Sequence, residues 1–428
     1  MGYNFFRDTS IKDSVNNRLI QFQSSLGVAI GQGKRIPSAD NDINYTLKLQ
    51  NERLAEKGVE FEYKAYHREN GNNRYLAGQQ WNDIHYDNKV CFRQCGVKRV
   101  VKISGKRMYK DDRRSILYQT ITDVKNGEHP DNDPFSCPNC GEISTIAELQ
   151  NGCKYCGTTY KMDDLFPKVT GFYFLDDNGL AKNEGFLGMA VSMLTCTALL
   201  FLACFIARPD VFNPLLLHKN LPTLIGYCIG MPFFGVITGY FTFSIFLLIR
   251  LIARGVATSS KMGTAGSRHK FEVRMKKITP EFSYEYFTSK AISLIKTAIY
   301  SKNEEELLFY TGPKLDANFK DIIDLNYGGA LGLDQFKDEG NIVTVVTDAF
   351  FDVLYVKGRK VSYRHQVFEA TFQRRTDIPV NMNFSMTRIK CPSCGSSFDA
   401  MKNKYCPYCG KEYELISDDW VLTGLRLK

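Results

Sequence analysis

Eight of the thirteen cysteines occur as four C-x2-C pairs, and their spacing points directly to metal chemistry. Each pair presents two thiolates from one tight turn, and two pairs complete the four tetrahedral ligands that zinc prefers. A glycine follows the second cysteine of every pair, where a residue without a side chain lets the turn fold back. The sequence therefore predicts two structural zinc sites, with no open ligand position of the catalytic kind. The predicted ligands are Cys137, Cys140, Cys153 and Cys156 for the first site, and Cys391, Cys394, Cys406 and Cys409 for the second.

These sites define two predicted zinc ribbons, over 131–165 and 388–412. The inner cysteines are separated by twelve residues in the first ribbon and by eleven in the second. Cys91 and Cys95 have three residues between them and no second pair nearby, so they are interpreted as ordinary buried or free thiols. Metal thiolates survive best in a reducing compartment, which favours the cytoplasm for both ribbons.

Two long apolar runs lie between the ribbons. The run 185–207 has 23 residues without a charge, and the run 220–249 has 30. A helix needs about 20 apolar residues to cross a bilayer, so the pattern predicts two transmembrane helices joined by a short turn. The alternative is a pair of buried helices in a soluble protein, which seldom run so long without a charge.

The charges around the two runs predict their orientation. Basic residues cluster on the cytoplasmic side of a membrane, and five follow the second run: Arg250, Arg254, Lys261, Arg268 and Lys270. The turn between the runs has only Arg208, Lys219 and His218, partly balanced by Asp210. We therefore expect a multi-pass protein of the cell membrane with both termini in the cytoplasm.

The second run contains two pairs of glycines at helix-packing spacing. Gly226 and Gly230 form one pair, and Gly235 and Gly239 form the other. The pairs are expected to face opposite sides of the helix, one toward the first span and one toward a second copy of the chain. The alternative is that glycine is simply common in membrane helices.

The chain before the first ribbon divides into a flexible arm, 1–38, and a basic α+β domain, 39–130. The arm has a loose helix as its alternative. Within the domain we expect a helix over 41–57, a strand over 59–68, and a further helix over 111–123. From Met1 to Pro130 there are 22 Lys and Arg against 15 Asp and Glu.

The basic excess is concentrated between Asn88 and Arg114, which hold ten basic and two acidic residues. The residues that would contact an anionic surface are Lys98, Arg99, Lys102, Lys106 and Arg107. The membrane is the expected polyanion, because the domain is tethered to it. The alternative is a solvated strand face. Nucleic acid is a weaker hypothesis, since aromatic residues are not interleaved as a stacking platform requires.

The last third of the chain follows a predicted flexible linker, 255–269. A helix opens near Thr279 and runs through Ile299, and two strands, 341–356 and 361–374, are joined by a tight turn. A third strand is expected over 381–389 and a last one over 420–425. The second ribbon is therefore expected to lie between two strands of one sheet.

This order resembles the Tim-forty-four-like domain, which is the C-terminal domain of the mitochondrial inner-membrane import-motor scaffold. The resemblance rests on ITPEFSYEYFTSKAISLIKTAIYSKNEEEL, on the strand that opens IVTVV, and on DWVLTGL. It covers 270–428, and the inserted ribbon is similar to the bacterial zinc-ribbon variety. The resemblance implies a cystatin-like or nuclear-transport-factor-two-like cone with a concave apolar pocket. It also implies attachment to the membrane surface and binding of protein partners or lipid, without catalytic residues.

Together these features predict an α+β, membrane-anchored scaffold that recruits a protein partner or an anionic lipid. The enzyme motifs G-x4-G-K-[ST], H-E-x2-H and G-x-S-x-G do not occur, so we expect no enzyme. The alternative function is a small-molecule sensor or enzyme that uses the pocket of the cone. Polar groups converging around His365 or Tyr363 would favour that alternative.

Overall fold

The computed structural model describes residues 11–68, 74–82, 85–125, 131–132, 134–176, 182–213, 217–302, 307–378, 385–387, 389–400 and 403–428. The chain forms two compact units. Unit 1 comprises Met1–Asp177 and Thr264–Lys428, and unit 2 comprises Asn178–Gly263. The Asn70–Asn73 turn lies outside the described residues, as does most of the strand expected over 381–389.

The N-terminal half of unit 1 consists of two helices, a five-stranded antiparallel sheet and the first ribbon. The sheet has the order β1-β3-β4-β7, and β2 pairs with β3 outside that path. Its elements are α1 (Asp13–Gln32), α2 (Asn41–Glu56), β1 (Val59–Tyr66), β2 (Leu76–Asn82), β3 (Tyr86–Ile103), β4 (Lys106–Val124), β5 (Pro134–Ser136), β6 (Ile143–Thr145), α3 (Ile146–Asn151), α4 (Met162–Leu165) and β7 (Lys168–Asp176).

Unit 2 contains α5 (Lys182–Ala207) and most of α6 (Leu217–Ile278). The C-terminal half of unit 1 begins with the end of α6. Its remaining elements are α7 (Tyr284–Tyr300), β8 (Ile322–Asp338), β9 (Ile342–Lys357), β10 (Lys360–Arg375), β11 (Ile389–Lys390), β12 (Ser397–Phe398) and β13 (Val421–Leu427). Strands β8, β9, β10 and β13 form a four-stranded antiparallel sheet in chain order.

The two halves of unit 1 have the same order of elements. In each half, helices precede an antiparallel sheet whose main path of paired strands follows chain order, with β2 of the N-terminal half outside that path. In each half, a four-cysteine ribbon is inserted between the last two strands of that sheet, and those strands pair with each other: β4 with β7, and β10 with β13. The insertion predicted for the second ribbon is therefore confirmed, and the first ribbon has the same arrangement.

The two halves share a buried seam, although the sequence suggests independent domains. The Thr46 hydroxyl of α2 lies 2.7 Å from that of Thr297 on α7. Asp42, at the start of α2, accepts hydrogen bonds from the backbone amides of Met386 and Thr387, just before the second ribbon. Because these contacts join residues more than 250 positions apart, no local pattern in the sequence indicates them.

Apolar periodicity explains the elements that were predicted well. Helix α7 begins after Ser283, whose hydroxyl accepts a hydrogen bond from the Tyr286 amide in an N-cap. Its apolar residues, including Phe287, Leu294 and Ile295, are buried in the core. Strands β9 and β10 have the predicted tight turn and alternate buried with more exposed positions.

Three predictions for unit 1 and its connections differ from the structure. The arm 1–38 contains α1, which buries Leu19, Phe22 and Leu26. The segment 111–123, predicted as a helix, is part of strand β4. The polar residues Ser115 and Gln119 occupy buried positions of this strand, so the sequence does not show the usual alternation of apolar and polar residues. The segment 255–269, which was predicted to be a flexible linker, lies within α6.

Unit 2 has two helical segments that are long and apolar enough to cross a membrane, Leu187–Ala207 and Lys219–Phe246. Their mean hydropathies are 2.3 and 1.6, and 0% and 6% of the side chains in their most apolar windows are buried. Buried core helices of soluble proteins would cover these side chains with other parts of the fold. The exposure of both segments therefore favours a lipid environment.

Candidate metal centres and charged sites

The first group of four cysteines has the geometry of a metal centre. The Sγ atoms of Cys137, Cys140, Cys153 and Cys156 all lie within 4.8 Å of one another. Cys137 is 3.6 Å from Cys156 and Cys140 is 3.8 Å from Cys153. Four sulfurs at about 2.3 Å from a tetrahedral ion lie about 3.8 Å apart, so the thiolates fit one ion.

The second group repeats this geometry with Cys391, Cys394, Cys406 and Cys409. The distance from Cys391 to Cys409 is 3.6 Å, and that from Cys394 to Cys406 is 3.7 Å. In both groups the first and third cysteines are buried and the second and fourth are exposed. The two sites are therefore matched in burial as well as in spacing.

All four cysteine turns use the same backbone hydrogen bonds. The amide of the glycine after each pair donates to the carbonyl of the first cysteine in that pair, at 2.7–2.8 Å. Gly141, Gly157, Gly395 and Gly410 have φ between +72° and +81°, a region that favours glycine. This confirms the role predicted for the glycines.

The surroundings of the first centre include one cation. The guanidinium of Arg35 lies against Gly141 and donates a hydrogen bond to Asn41 at 2.7 Å. Burial lowers the pKa of Arg35, while Cys137 and Cys140 raise it. A cation beside four thiolates offsets part of the negative charge that a divalent ion leaves uncompensated. Neither Arg35 nor this contact was predicted from the sequence.

Cys91 and Cys95 are buried in the core of the N-terminal half, away from both cysteine groups. Burial raises the pKa of the Cys91 thiol to about 12, so it stays protonated at neutral pH. Both residues behave as small apolar side chains.

The predicted anion-binding residues on β3 and β4 do not form one surface. Arg99 is only 2% exposed and bonds to Asp111 and Asp324 at 2.7 and 2.9 Å, so it is not available to a polyanion. Lys98 is half-buried, and Lys102 pairs with Glu62. Only Lys106 and Arg107, at the start of β4, are exposed without a side-chain partner among the described residues.

The second hairpin has a matching set of cations, which the sequence analysis missed. Lys357, Arg359 and Lys360 lie at the turn between β9 and β10 and are exposed. None of them forms a side-chain hydrogen bond or ion pair within the described part of the chain. We call these three residues, together with Lys106 and Arg107, the basic tips. The signal was available, since both hairpins place basic residues beside a two-residue turn.

Between the two sheets, buried and half-buried charges neutralise one another. Arg113 donates to Asp111 at 2.7 Å and to the Tyr363 hydroxyl at 3.0 Å. Burial lowers the pKa of Arg99, but Asp324 and Asp111 raise it, so the net shift is upward. His365 contacts Asp352 at 2.5 Å, yet its side chain is 78% exposed. Polar groups do converge on Tyr363, but they are satisfied by one another across the seam.

The glycine pairs of α6 differ in their surroundings within unit 2. A Cβ at Gly239 would lie 2.4 Å from the Cα of Met193, and one at Gly235 would lie 2.1 Å from the Thr197 hydroxyl. The Ser192 hydroxyl also donates to the Gly239 carbonyl at 3.0 Å. By contrast, the Cβ positions of Gly226 and Gly230 have no atom within 4 Å among the described residues. One pair therefore lies at the contact with α5, and the other faces open space.

Comparisons of the chain with family models, with curated proteins and with solved structures find no match. The resemblance to the Tim-forty-four-like domain stays a prediction. The case for function therefore rests on the two cysteine groups, the two exposed apolar helices and the charged sites described above.

Proposed function

We propose that this protein is a membrane-anchored, cytoplasm-facing scaffold whose paired zinc-ribbon halves bind an anionic surface at the membrane. Lipid headgroups are the first candidate for that surface, and an acidic protein partner is the second. The observation that carries the proposal is the presence of basic tips at equivalent hairpins of both halves.

The basic tips suit such a surface because their charges are uncommitted. Buried cations such as Arg99 form ion pairs within the fold, and several surface lysines form ion pairs with a glutamate. The five cations of the basic tips have no such partner in the described chain. A basic residue near an anionic leaflet gains about 1 kcal/mol, so five acting together would give firm attachment.

Two further features support the membrane location. The exposed helices of unit 2 are long and apolar enough to cross a membrane, and the basic residues after the second helix favour the cytoplasmic side for both termini. The two cysteine groups suit zinc, which would replace a core that is small in each ribbon. In this proposal the zinc is structural, because four thiolates leave no open position for a substrate.

The experiment compares vesicle binding of full-length variants. The protein is reconstituted in nanodiscs of phosphatidylcholine, and its binding to vesicles with or without phosphatidylglycerol is measured by flotation. The test variant replaces the five cations of the basic tips with Gln. The matched control replaces five exposed lysines that each contact a glutamate, namely Lys48, Lys154, Lys276, Lys302 and Lys404. We expect the test variant alone to lose binding to anionic vesicles.

A second arm distinguishes a protein partner from lipid. Photo-crosslinkers at Arg107 and Arg359 of the full-length protein in cells should capture a defined set of proteins. Replacing the other three cations of the basic tips, Lys106, Lys357 and Lys360, with Gln should abolish that capture. Vesicle binding and captured proteins that are both unaffected by the Gln substitutions would overturn the proposal. Deleting the C-terminal half is unsuitable, because the halves share a buried seam and the remainder would expose its core.

A further inference from the structure

A partly open cavity of about 60 Å³ lies at the seam of unit 1. Helices α2 and α7 form one side, and strands of both sheets form the other. Its wall combines aromatic rings, such as Phe172, with an unusual number of polar side chains for a protein interior. We call it the Lys296 cavity after the residue that distinguishes it.

Helix α7 presents a polar stripe to this cavity. Ser289, Ser293, Lys296 and Tyr300 recur at helical spacing, and all four line the wall. The opposite face of α7, with Phe287 and Leu294, is packed into the apolar core. A polar stripe on a helix usually faces bulk water, whereas this stripe faces the cavity between the two halves.

Lys296 has no counter-ion in this space. Among the described residues, no carboxylate lies within 4.0 Å of its Nζ, and its contact is with the ring of Phe172, 5.4 Å away. Asp324 also lines the cavity, but it is already engaged by Arg99 at 2.9 Å and by Gln50 at 3.1 Å. Burial lowers the pKa of Lys296, and Asp324 offsets that shift only in part.

Other donors along the stripe are also unused. The hydroxyls of Ser289 and Ser293 form no hydrogen bond with any residue that the structure describes. The side-chain amide of Asn326, which also lines the cavity, has no partner there either. These side chains and Lys296 are half-buried, so their donors remain available to a ligand that enters the cavity.

Helix α2 of the N-terminal half has a cation at the position equivalent to Lys296, and that cation is satisfied by hydrogen bonds. Counted from the first helical residue, Arg53 of α2 occupies the same position as Lys296 of α7. Arg53 donates to the carbonyls of Phe319 and Ile299 at 2.8 and 2.9 Å, with further contacts to Ile322 and Ser301. Its charge is fully used by the fold, whereas that of Lys296 is not.

We propose that the Lys296 cavity binds a small oxyanion, with Lys296 Nζ and the hydroxyls of Ser289 and Ser293 as donors. The cavity is large enough for an anion the size of acetate or phosphate. Ammonium and hydroxyl donors in a protein interior make short, strong hydrogen bonds to carboxylate or phosphate oxygens.

The test measures anion binding to the full-length protein in detergent by calorimetry, with acetate and phosphate as separate probes in a chloride buffer. We expect saturable binding of one anion per chain. Substitution of Lys296→Met should weaken it by about tenfold to a hundredfold, the effect of losing one charged hydrogen bond. The pair of substitutions Ser289→Ala and Ser293→Ala should weaken it less, and Lys302→Met, just beyond α7, should leave it unchanged.

Proton linkage provides an independent readout. Because the bound anion favours the charged lysine, binding should take up protons above the lowered pKa of Lys296, and this uptake should vanish in Lys296→Met. If Lys296→Met does not fold, Lys296→Gln serves in its place. Absence of acetate and phosphate binding to the unmodified protein, or binding that is unaffected by either Lys296 substitution, would overturn the proposal.

Discussion

The N-terminal and C-terminal halves of unit 1 share an architecture but use their buried charges differently. Both have helices, a sheet in chain order and a ribbon between its last two strands. The cation on α2 is anchored by four backbone carbonyls of the other half, whereas the cation on α7 lines a cavity without a counter-ion. Arg53 therefore helps to hold the two halves together, whereas Lys296 lines the proposed anion site.

Several features are the same in both halves. The cysteine distances, the burial order and the positive φ of the following glycines are nearly identical in the two ribbons. The basic tips recur in both halves as well, although the strands around them differ in sequence. Features that recur in both halves point to shared tasks, namely metal binding and contact with an anionic surface.

The largest expected effect is loss of a metal from one half at a time. Protein purified without chelator should contain two zinc ions per chain. Cys137→Ser and Cys391→Ser should each remove one ion and destabilise the fold, because an ion held by four thiolates contributes directly to folding. Metal content by atomic absorption and thermal unfolding would check this.

Cys91→Ala is the matched control for the metal measurement. Cys91 is a buried thiol of the same half as Cys137 but lies outside both groups. It should lower stability through a small cavity while leaving two ions bound. Zero ions in the unmodified protein would contradict the predicted metal sites, and one ion would contradict the symmetry of the two ribbons.

Substitutions of the two helix cations, Arg53 and Lys296, should change the free energy of unfolding by clearly different amounts. Arg53→Met should lower the free energy of unfolding by about 3 kcal/mol, because several buried carbonyls lose their donor. In chloride buffer, Lys296→Met should leave it unchanged or raise it by about 1 kcal/mol, since an uncompensated charge is removed. Tryptophan fluorescence suits the measurement, because Trp81 and Trp420 are the only tryptophans and both are buried in unit 1.

Equal losses for both substitutions would mean that Lys296 is structural and that the two halves use their cations alike. Lys302→Met serves again as the control, because Lys302 is exposed and should change the unfolding free energy by less than about 0.5 kcal/mol.

The sequence predicted local features and missed those that depend on the seam. Cysteine spacing and charge-free length are carried by a few neighbouring residues, so the metal ligands and the apolar helices could be identified directly. The burial of Arg99 depends on Asp324, 225 residues away along the chain. The strand nature of β4 was hidden because the buried Gln119 bonds to Tyr75 instead of packing as an apolar residue. Polar residues that are satisfied by distant partners look like surface residues in a sequence.

The smallest expected effect is the pH dependence of the difference between unmodified protein and Lys296→Met. A lysine in the unfolded chain has a pKa of about 10.4, and burial lowers the pKa of Lys296 in the folded protein. Between these two values the unfolded chain binds more protons, so the stability of the unmodified protein rises with pH. The destabilising contribution of Lys296 should be complete below its folded pKa and should disappear as the pH approaches 10.4. Thermal unfolding of both proteins in chloride buffers, from neutral pH to about pH 10, should therefore give curves that converge with rising pH. Curves that remain parallel would show that Lys296 is not desolvated. The contrast with the anchored Arg53 would then be one of geometry alone.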